Sequence, residues 1–237
     1  MCPAPGSPPI RLVVFDLAGT TVRDSDNVHS FLQEALHKEG VTISRHEANA
    51  VMGIAKPVAI RQLLETRRED PSRITPARID RIHGHFLAGM IDFYRHDPGV
   101  GEKEGVSDTF RALRQRNVKV AVDTGFDRRI TNAIFERLGW LEAGLLDASV
   151  TSDEVPRGRP FPDMIHKAMQ LTATRTAAEV AKVGDTASDL LEGHAAACRW
   201  VIGVTTGAFR AEELRPYPHT HLIRQVSEIL PLLEAGG

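Results

Sequence analysis

The stretch 13-VVFDLAGTTV-22 decides how this chain is read. Val13, Val14 and Phe15 carry it to Asp16, and a Gly19-Thr20-Thr21 turn follows. A short apolar run closed by turn residues reads as a strand buried on both faces. A carboxylate at the carboxyl end of such a strand stands where open parallel sheets bind ligands. Taken alone, Asp16 could equally cap a following helix. The residue two places on is Ala18. If Asp16 is a nucleophile, no neighbouring acid at that position protonates a leaving group.

The same rhythm continues outward. Strands are predicted at 11-RLVVFD-16, 118-VKVAVDT-124, 147-DASVTS-152, 179-EVAKVGD-185 and 200-WVIGVT-205, with a weaker one at 220-THLIRQV-226. Helical stretches such as 105-GVSDTFRALRQRN-117 and 128-RRITNAIFERLG-139 alternate with them. Val106, Phe110 and Leu113 recur there at helical spacing. This alternation predicts an α/β fold with a doubly wound parallel sheet. One gap breaks it. Between the strand ending at Asp16 and the one near Val118 lie roughly eighty mostly helical residues, too many for a crossover. The helical runs are 28-VHSFLQEALHKEG-40, 45-RHEANAVMG-53, 57-PVAIRQLLETRRE-69 and 76-PARIDRIHGHFLAGMIDFYRH-96. They predict an all-helical cap over 24–99, inserted into a core of 11–23 and 100–237. Residues 1–10, rich in Pro and Gly, read as a disordered leader.

Composition sets bounds. Apolar residues make up 42% and charged residues 25%, with a net charge of −2. That is a globular profile without the basic excess that would suggest nucleic acid or a membrane surface. No apolar run approaches a membrane span. Cys2 and Cys198 are the only cysteines, so no disulfide framework is expected and a cytoplasmic setting fits. The first residues lack the basic and apolar regions of a secretory signal.

Four predicted strand ends carry chemistry. They hold Asp16, then Thr124-Gly125, then Arg159 within 156-PRGRPFPD-163, then Asp185 and Asp189 within 183-VGDTASD-189. Mg²⁺ takes oxygen ligands and needs only one or two carboxylates beside substrate oxygens and water. Asp16 and Asp185 can share it, with the Ala18 carbonyl as a third ligand. Asp189 either binds the metal directly, reaches it through water, or braces its loop. Arg159 and the Thr124 hydroxyl are placed to hold phosphoryl oxygens. Asp24 and Asp26, near the cap junction, read as hinge or surface residues, with a substitute acid as the other reading. The histidines of 83-HGHF-86 read as surface residues.

These motifs, in this order, resemble the haloacid dehalogenase superfamily, whose members use an aspartate nucleophile. The resemblance covers nearly the whole chain after the leader, and the helical insert matches that superfamily's type 1 cap. FDLAGTT, VPRGRPFP, KVGDTASD and 52-MGIAK-56 resemble the phosphonoacetaldehyde hydrolase, or phosphonatase, branch. The resemblance implies a Mg²⁺ enzyme acting on a small phosphonate or phosphorylated compound. Asp16 would be the nucleophile, Lys56 the Schiff-base lysine, and Gly19, Thr20, Met52 and Gly125 would contact substrate. It also implies a dimer formed through the cap. An iminium on Lys56 would serve as electron sink when a carbon–phosphorus bond breaks, so an acid at position 18 is not needed. The chain departs from the branch in four places. Ala59 replaces a histidine, Phe126 a tyrosine, Asp26 a cysteine, and Pro57 directly follows Lys56. Proline suits a first helical turn, so Lys56 is expected just before a helix. Two other readings stand: a phosphate-monoester phosphatase that does not need Lys56, and a non-catalytic phosphometabolite-binding module.

Overall fold

Six short segments pair side by side into one parallel sheet, in the order β3-β2-β1-β4-β5-β6. The computed structural model describes residues 8–68 and 70–235. Cys2 and most of the expected leader lie outside the described residues, as does Glu69. Ile10, placed by sequence in the leader, is buried and packs with the core.

The chain runs β1 (Leu12–Phe15), α1 (Asn27–Lys38), α2 (Arg45–Asn49), α3 (Lys56–Thr66), α4 (Pro76–His96), α5 (Val106–Gln115), β2 (Lys119–Thr124) and α6 (Arg128–Leu138). It continues through β3 (Ala148–Thr151), α7 (Asp163–Leu171), β4 (Val180–Gly184), α8 (Ala187–Ala195), β5 (Trp200–Val204), α9 (Ala211–Leu214), β6 (His221–Ile223) and α10 (Ile229–Ala235). Successive side chains of a strand point to opposite faces. Val13 and Phe15 therefore join Phe110, Val120 and Val183 in one apolar cluster. Leu12 and Val14 join Val150, Met164 and Ile165 in another. Burial on both faces is why these strands read as unbroken apolar runs.

The strand order reverses at the centre, where β4 lies beside β1. A crevice opens outside the carboxyl ends of the strands at such a switch point. Asp16 follows β1 there and Asp185 follows β4, and the Asp16 N–H donates to the Val183 carbonyl at 2.9 Å.

Helices α1–α4 form a separate layer above this crevice. In α4 the buried residues Ile79, Ile82, Phe86, Leu87, Met90 and Tyr94 make one apolar stripe, as a half-buried helix requires. The stripe faces α1, α3 and the core helix α6. The two connections to the core run antiparallel. Arg23 N–H donates to the Gly101 carbonyl and Lys103 N–H to the Thr21 carbonyl, both at 2.9 Å. The helical insert therefore hangs from a paired two-strand linker.

Helix α2 differs from the expected 45–53. It ends at Asn49, and Gly53 adopts a left-handed φ of 80° in the turns that follow. That turn lays the Gly53 and Ile54 carbonyls against core residue Gly125. A Cβ on Gly125 would meet them at 2.5 and 2.8 Å. Backbone cannot move aside as a flexible side chain can. Gly125→Ala should therefore hold the cap off the core while leaving the sheet folded. Turnover is expected to fall about 100-fold, the scale of an ångström-sized misplacement. An unchanged melting temperature alongside lost turnover checks this.

Candidate active site

Asp16 leaves β1 into a tight turn in which the Thr20, Thr21 and Val22 amides all donate to the Leu17 carbonyl. Gly19 is required in it twice over. Its φ is 86°, and a Cβ there would lie 2.2 Å from Asp185 Oδ2. The turn thus brings the loops after β1 and β4 into contact. The Thr20 hydroxyl donates to Asp185 Oδ1 at 2.8 Å, and the Ala208 amide donates to Oδ2 at 2.6 Å.

Asp16 is buried. Its Oδ1 accepts from Arg159 Nη1 at 2.7 Å. Burial pushes its carboxyl up to about 8 despite Arg159, with Asp189 and Asp185 adding repulsion. Burial, with Asp189, likewise raises Asp185 to about 6. Carboxyl oxygens of Asp16, Asp185 and Asp189 lie within 4.8 Å of one another. Hard oxygen donors, buried and mutually repelling, fit a divalent cation. Asp189 is the poorest of the three as a ligand. It is the third residue of α8, where Oδ2 accepts from the Thr186 amide at 3.1 Å and the Thr186 hydroxyl at 2.5 Å. Its Oδ1 faces Arg159 at 3.0 Å and Lys182 at 3.1 Å.

Arg159 does not line the cavity. Its fully buried guanidinium is held by carboxylates: Glu192 at 2.8 Å on Nε, Asp16 and Asp189 on Nη1, and Asp123 on Nη2. Lys182 is buried against Asp123, Asp189 and Glu192. Burial alone would raise Asp123, but Lys182 and Arg159 outweigh it and hold that carboxyl below its ordinary value. Burial, with Asp123, pushes Glu192 up to about 8. Asp123, Asp189 and Glu192 also cluster closely enough to hold an ion. Two cations already occupy that position, so the group is structural.

Asp123, Lys182 and Glu192 escaped the sequence reading. A signal was present: a charge inside a strand buried on both faces must have a partner. Glu192 stands three residues after Asp189 on the same face of α8.

The cap completes the site. A narrow cavity of about 30 Å³ is walled by Asp16, Ala18, Asp24, Met52, Lys56, Thr124, Gly125 and Phe126 among others. Of the residues expected to contact substrate, Met52 and Gly125 line it. Gly19 and Thr20 do not: the Thr20 hydroxyl is committed to Asp185, and Gly19 packs against that carboxyl while its carbonyl accepts from Lys103. The Thr124 hydroxyl accepts the Phe126 amide at 3.2 Å. Lys56 is the first residue of α3, with Pro57 second, rather than lying before the helix. Its Nζ is buried 5.5 Å from the Phe86 ring and 5.8 Å from Phe126. Burial lowers its pKa to about 8 although Asp16 opposes the shift; Arg159 adds to it. The positive end of the helix works in the same direction. Ala59, where the branch has a histidine, is wholly buried in the cap. Asp24 is half-buried on the cavity wall, whereas Asp26 pairs with Arg45 outside. His83 is half-buried rather than exposed.

This geometry places a carboxylate and a buried amine on one cavity beside an acidic cluster. The model of the haloacid dehalogenase-like hydrolases matches residues 10–197. The chain belongs to that family. It is therefore a hydrolase, similar in sequence to phosphonoacetaldehyde hydrolases. It is 32% identical over 210 residues to phosphonoacetaldehyde hydrolase of Bacillus cereus, covering 84% of this chain and 77% of that one. A phosphonoacetaldehyde hydrolase-like protein from Oleispira antarctica shares the fold with a TM-score of 0.83 at 22% identity, covering 99% and 95% of the two chains. A putative phosphoglycolate phosphatase from Lactobacillus delbrueckii subsp. bulgaricus gives 0.75 at 21%, covering 96% and 98%. No helix among the described residues is long and apolar enough to cross a membrane.

Two outcomes follow. Mg²⁺ at a hundredfold excess over Kd should stabilise the EDTA-treated protein by about 2.7 kcal/mol, several degrees in melting temperature. Asp185→Asn should abolish that response. Lys182→Met should cost about 3–5 kcal/mol by stranding buried carboxylates, read as a lowered urea midpoint.

Proposed function

We propose that the protein is a Mg²⁺-dependent phosphonatase that cleaves the carbon–phosphorus bond of phosphonoacetaldehyde or a close analogue. The observation that carries this reading is the meeting of Lys56 and Asp16 on one cavity, with Ala18 where an acid would otherwise stand.

Lys56 attacks the aldehyde carbon and, with loss of water, forms an iminium. Asp16 then attacks phosphorus. The carbon–phosphorus electron pair becomes a carbon–carbon double bond, and the iminium pair returns to nitrogen as an enamine. No oxygen leaving group forms, so no acid is needed beside Asp16. The enamine carbon takes a proton from water, and hydrolysis frees acetaldehyde and Lys56. A second water hydrolyses the aspartyl phosphate. Asp16, Asp185 and the Ala18 carbonyl would hold Mg²⁺, which offsets the repulsion between carboxylate and phosphoryl oxygens. Arg159 fixes Asp16 in place, and Thr124 and Gly125 line the cavity where the phosphoryl group would sit. Aromatic walls from Phe86 and Phe126 keep the amine dry. A dimer through the cap and a cytoplasmic setting belong to the same reading, from the resemblance and the cysteine content.

The test is Mg²⁺-dependent phosphate release from phosphonoacetaldehyde. Lys56→Arg keeps the charge but cannot form the imine, and release should fall to background. The amine is the nucleophile, so it must lose its proton. Reductive trapping of the imine should rise with pH on the approach to about 8. Roughly one molecule in ten carries the free amine at pH 7. Phosphate release that survives Lys56→Arg would sink the reading.

A further inference from the structure

The cavity wall carries three titratable groups among the described residues: Asp16, Lys56 and Asp24. The proposed function uses the first two. Neither is free to move protons on the aldehyde oxygen, since Asp16 must attack phosphorus and Lys56 becomes the imine nitrogen. Yet forming and undoing an imine both require proton transfer at that oxygen. Ala59 and Ala18 supply no such group. Asp24 remains.

Its placement suits the task. Asp24 sits just past the paired linker, at the entrance to α1. One carboxyl oxygen, Oδ1, accepts from the Asn27 amide at 2.7 Å and the Val28 amide at 3.3 Å. Two backbone donors thus fix the carboxyl plane. Oδ2 accepts no hydrogen bond from a described residue. Val28 itself lines the same cavity, so the group is anchored on that wall rather than swinging into solvent. Its charge is felt at Lys56, where it stabilises the ammonium form. Burial raises the carboxyl above its ordinary value, against the pull of the two amides. The protonated form is then more accessible near neutral pH than on an exposed aspartate.

We propose that Asp24 is a further catalytic residue, the acid and base for imine formation and hydrolysis at Lys56. The proposal rests on the phosphonatase reading. After the Lys56 nitrogen has bonded to the aldehyde carbon, the former carbonyl oxygen is a hydroxyl. The Asp24 carboxylic acid gives it a proton, the carbon–oxygen bond breaks, and water leaves. The nitrogen lone pair closes the C=N bond, and Asp24 is left as carboxylate. At the end of the cycle water adds to the iminium carbon and loses a proton to that carboxylate. Asp24 returns to its acid form and no net proton is consumed.

The test compares unsubstituted protein, Asp24→Asn and Asp24→Glu, each with Mg²⁺. Two readouts are used. Acetaldehyde with borohydride traps the imine on Lys56 without any phosphorus step, scored by mass spectrometry of the Lys56 peptide. Phosphate release from phosphonoacetaldehyde reports the whole cycle. Asparagine keeps an oxygen to accept the Asn27 and Val28 amides, so folding should hold, and a melting curve checks it. The expected result is that Asp24→Asn slows trapping and lowers kcat together by about 100-fold, within the usual span for a general acid–base group. KM should change little, and Asp24→Glu should recover part of both rates. Trapping unchanged in Asp24→Asn overturns the proposal and leaves the phosphonatase reading standing. Loss of phosphate release with trapping intact also overturns it, since Asp24 would then act at the phosphoryl step. No trapping in the unsubstituted protein overturns the imine reading itself.

Discussion

Everything at the carboxyl end of the sheet is arranged around the buried guanidinium of Arg159. Its donors reach Asp16 after β1, Asp123 within β2, and Asp189 and Glu192 on the helix after β4. Nη1 also meets the Gly53 carbonyl of the cap at 3.3 Å. One planar cation thus ties three strand ends to the lid above them. A lysine could not do this, because an ammonium lacks the fixed fork that meets several carboxylates at once. Desolvating such a charge costs several kcal/mol unless it is fully paired. The surrounding carboxylates are the condition for its being there at all.

The count of charges is uneven, and the unevenness has a direction. Arg159 and Lys182 face five buried carboxyls: Asp16, Asp123, Asp185, Asp189 and Glu192. Lys182 lies on the Asp123–Glu192 side, and Arg159 reaches from there to Asp16. Asp185, at the other edge, accepts hydrogen bonds from the neutral Thr20 hydroxyl and Ala208 amide, with Lys103 the cation that acts on it. Surplus acidic groups therefore collect between Asp16 and Asp185. That edge suits a divalent cation. The inner edge, already filled by Lys182, does not. The same asymmetry separates two clusters that look alike by distance alone.

Much of this was legible in the sequence, for definite reasons. β1, β2, β4 and β5 read clearly because strands buried on both faces must be apolar throughout, and Asp16 and Asp185 stood out as the charges that end such runs. The helices between β1 and β2 read clearly because a helical stretch of that length does not fit inside a crossover. What stayed hidden depends on pairings distant in sequence. Nothing local to Lys182 says that Asp123 lies across β1 from it. Nothing local to Asp24 says that α1 turns it inward. The end of α2 was missed because no change in apolar spacing marks it: the helix stops at Asn49 and turns follow, with Gly53 left-handed in them. The burial of Lys56 is a property of α3 and α4 closed on Phe126, and no window around residue 56 contains it.

The cavity between cap and core is narrow, and Lys56 is buried on it beside Asp16. Removal from water is what brings the amine toward neutrality, against the pull of the Asp16 carboxylate. Ala18 fits this arrangement in physical terms as well as chemical ones. An aspartate at position 18 would add a carboxylate to the edge that already carries the surplus. It would also offer Lys56 a close anionic partner, stabilising the ammonium and holding back the nucleophile. A site built on a desolvated lysine therefore excludes the acid that a phosphate-ester site would keep, and the two designs cannot share position 18.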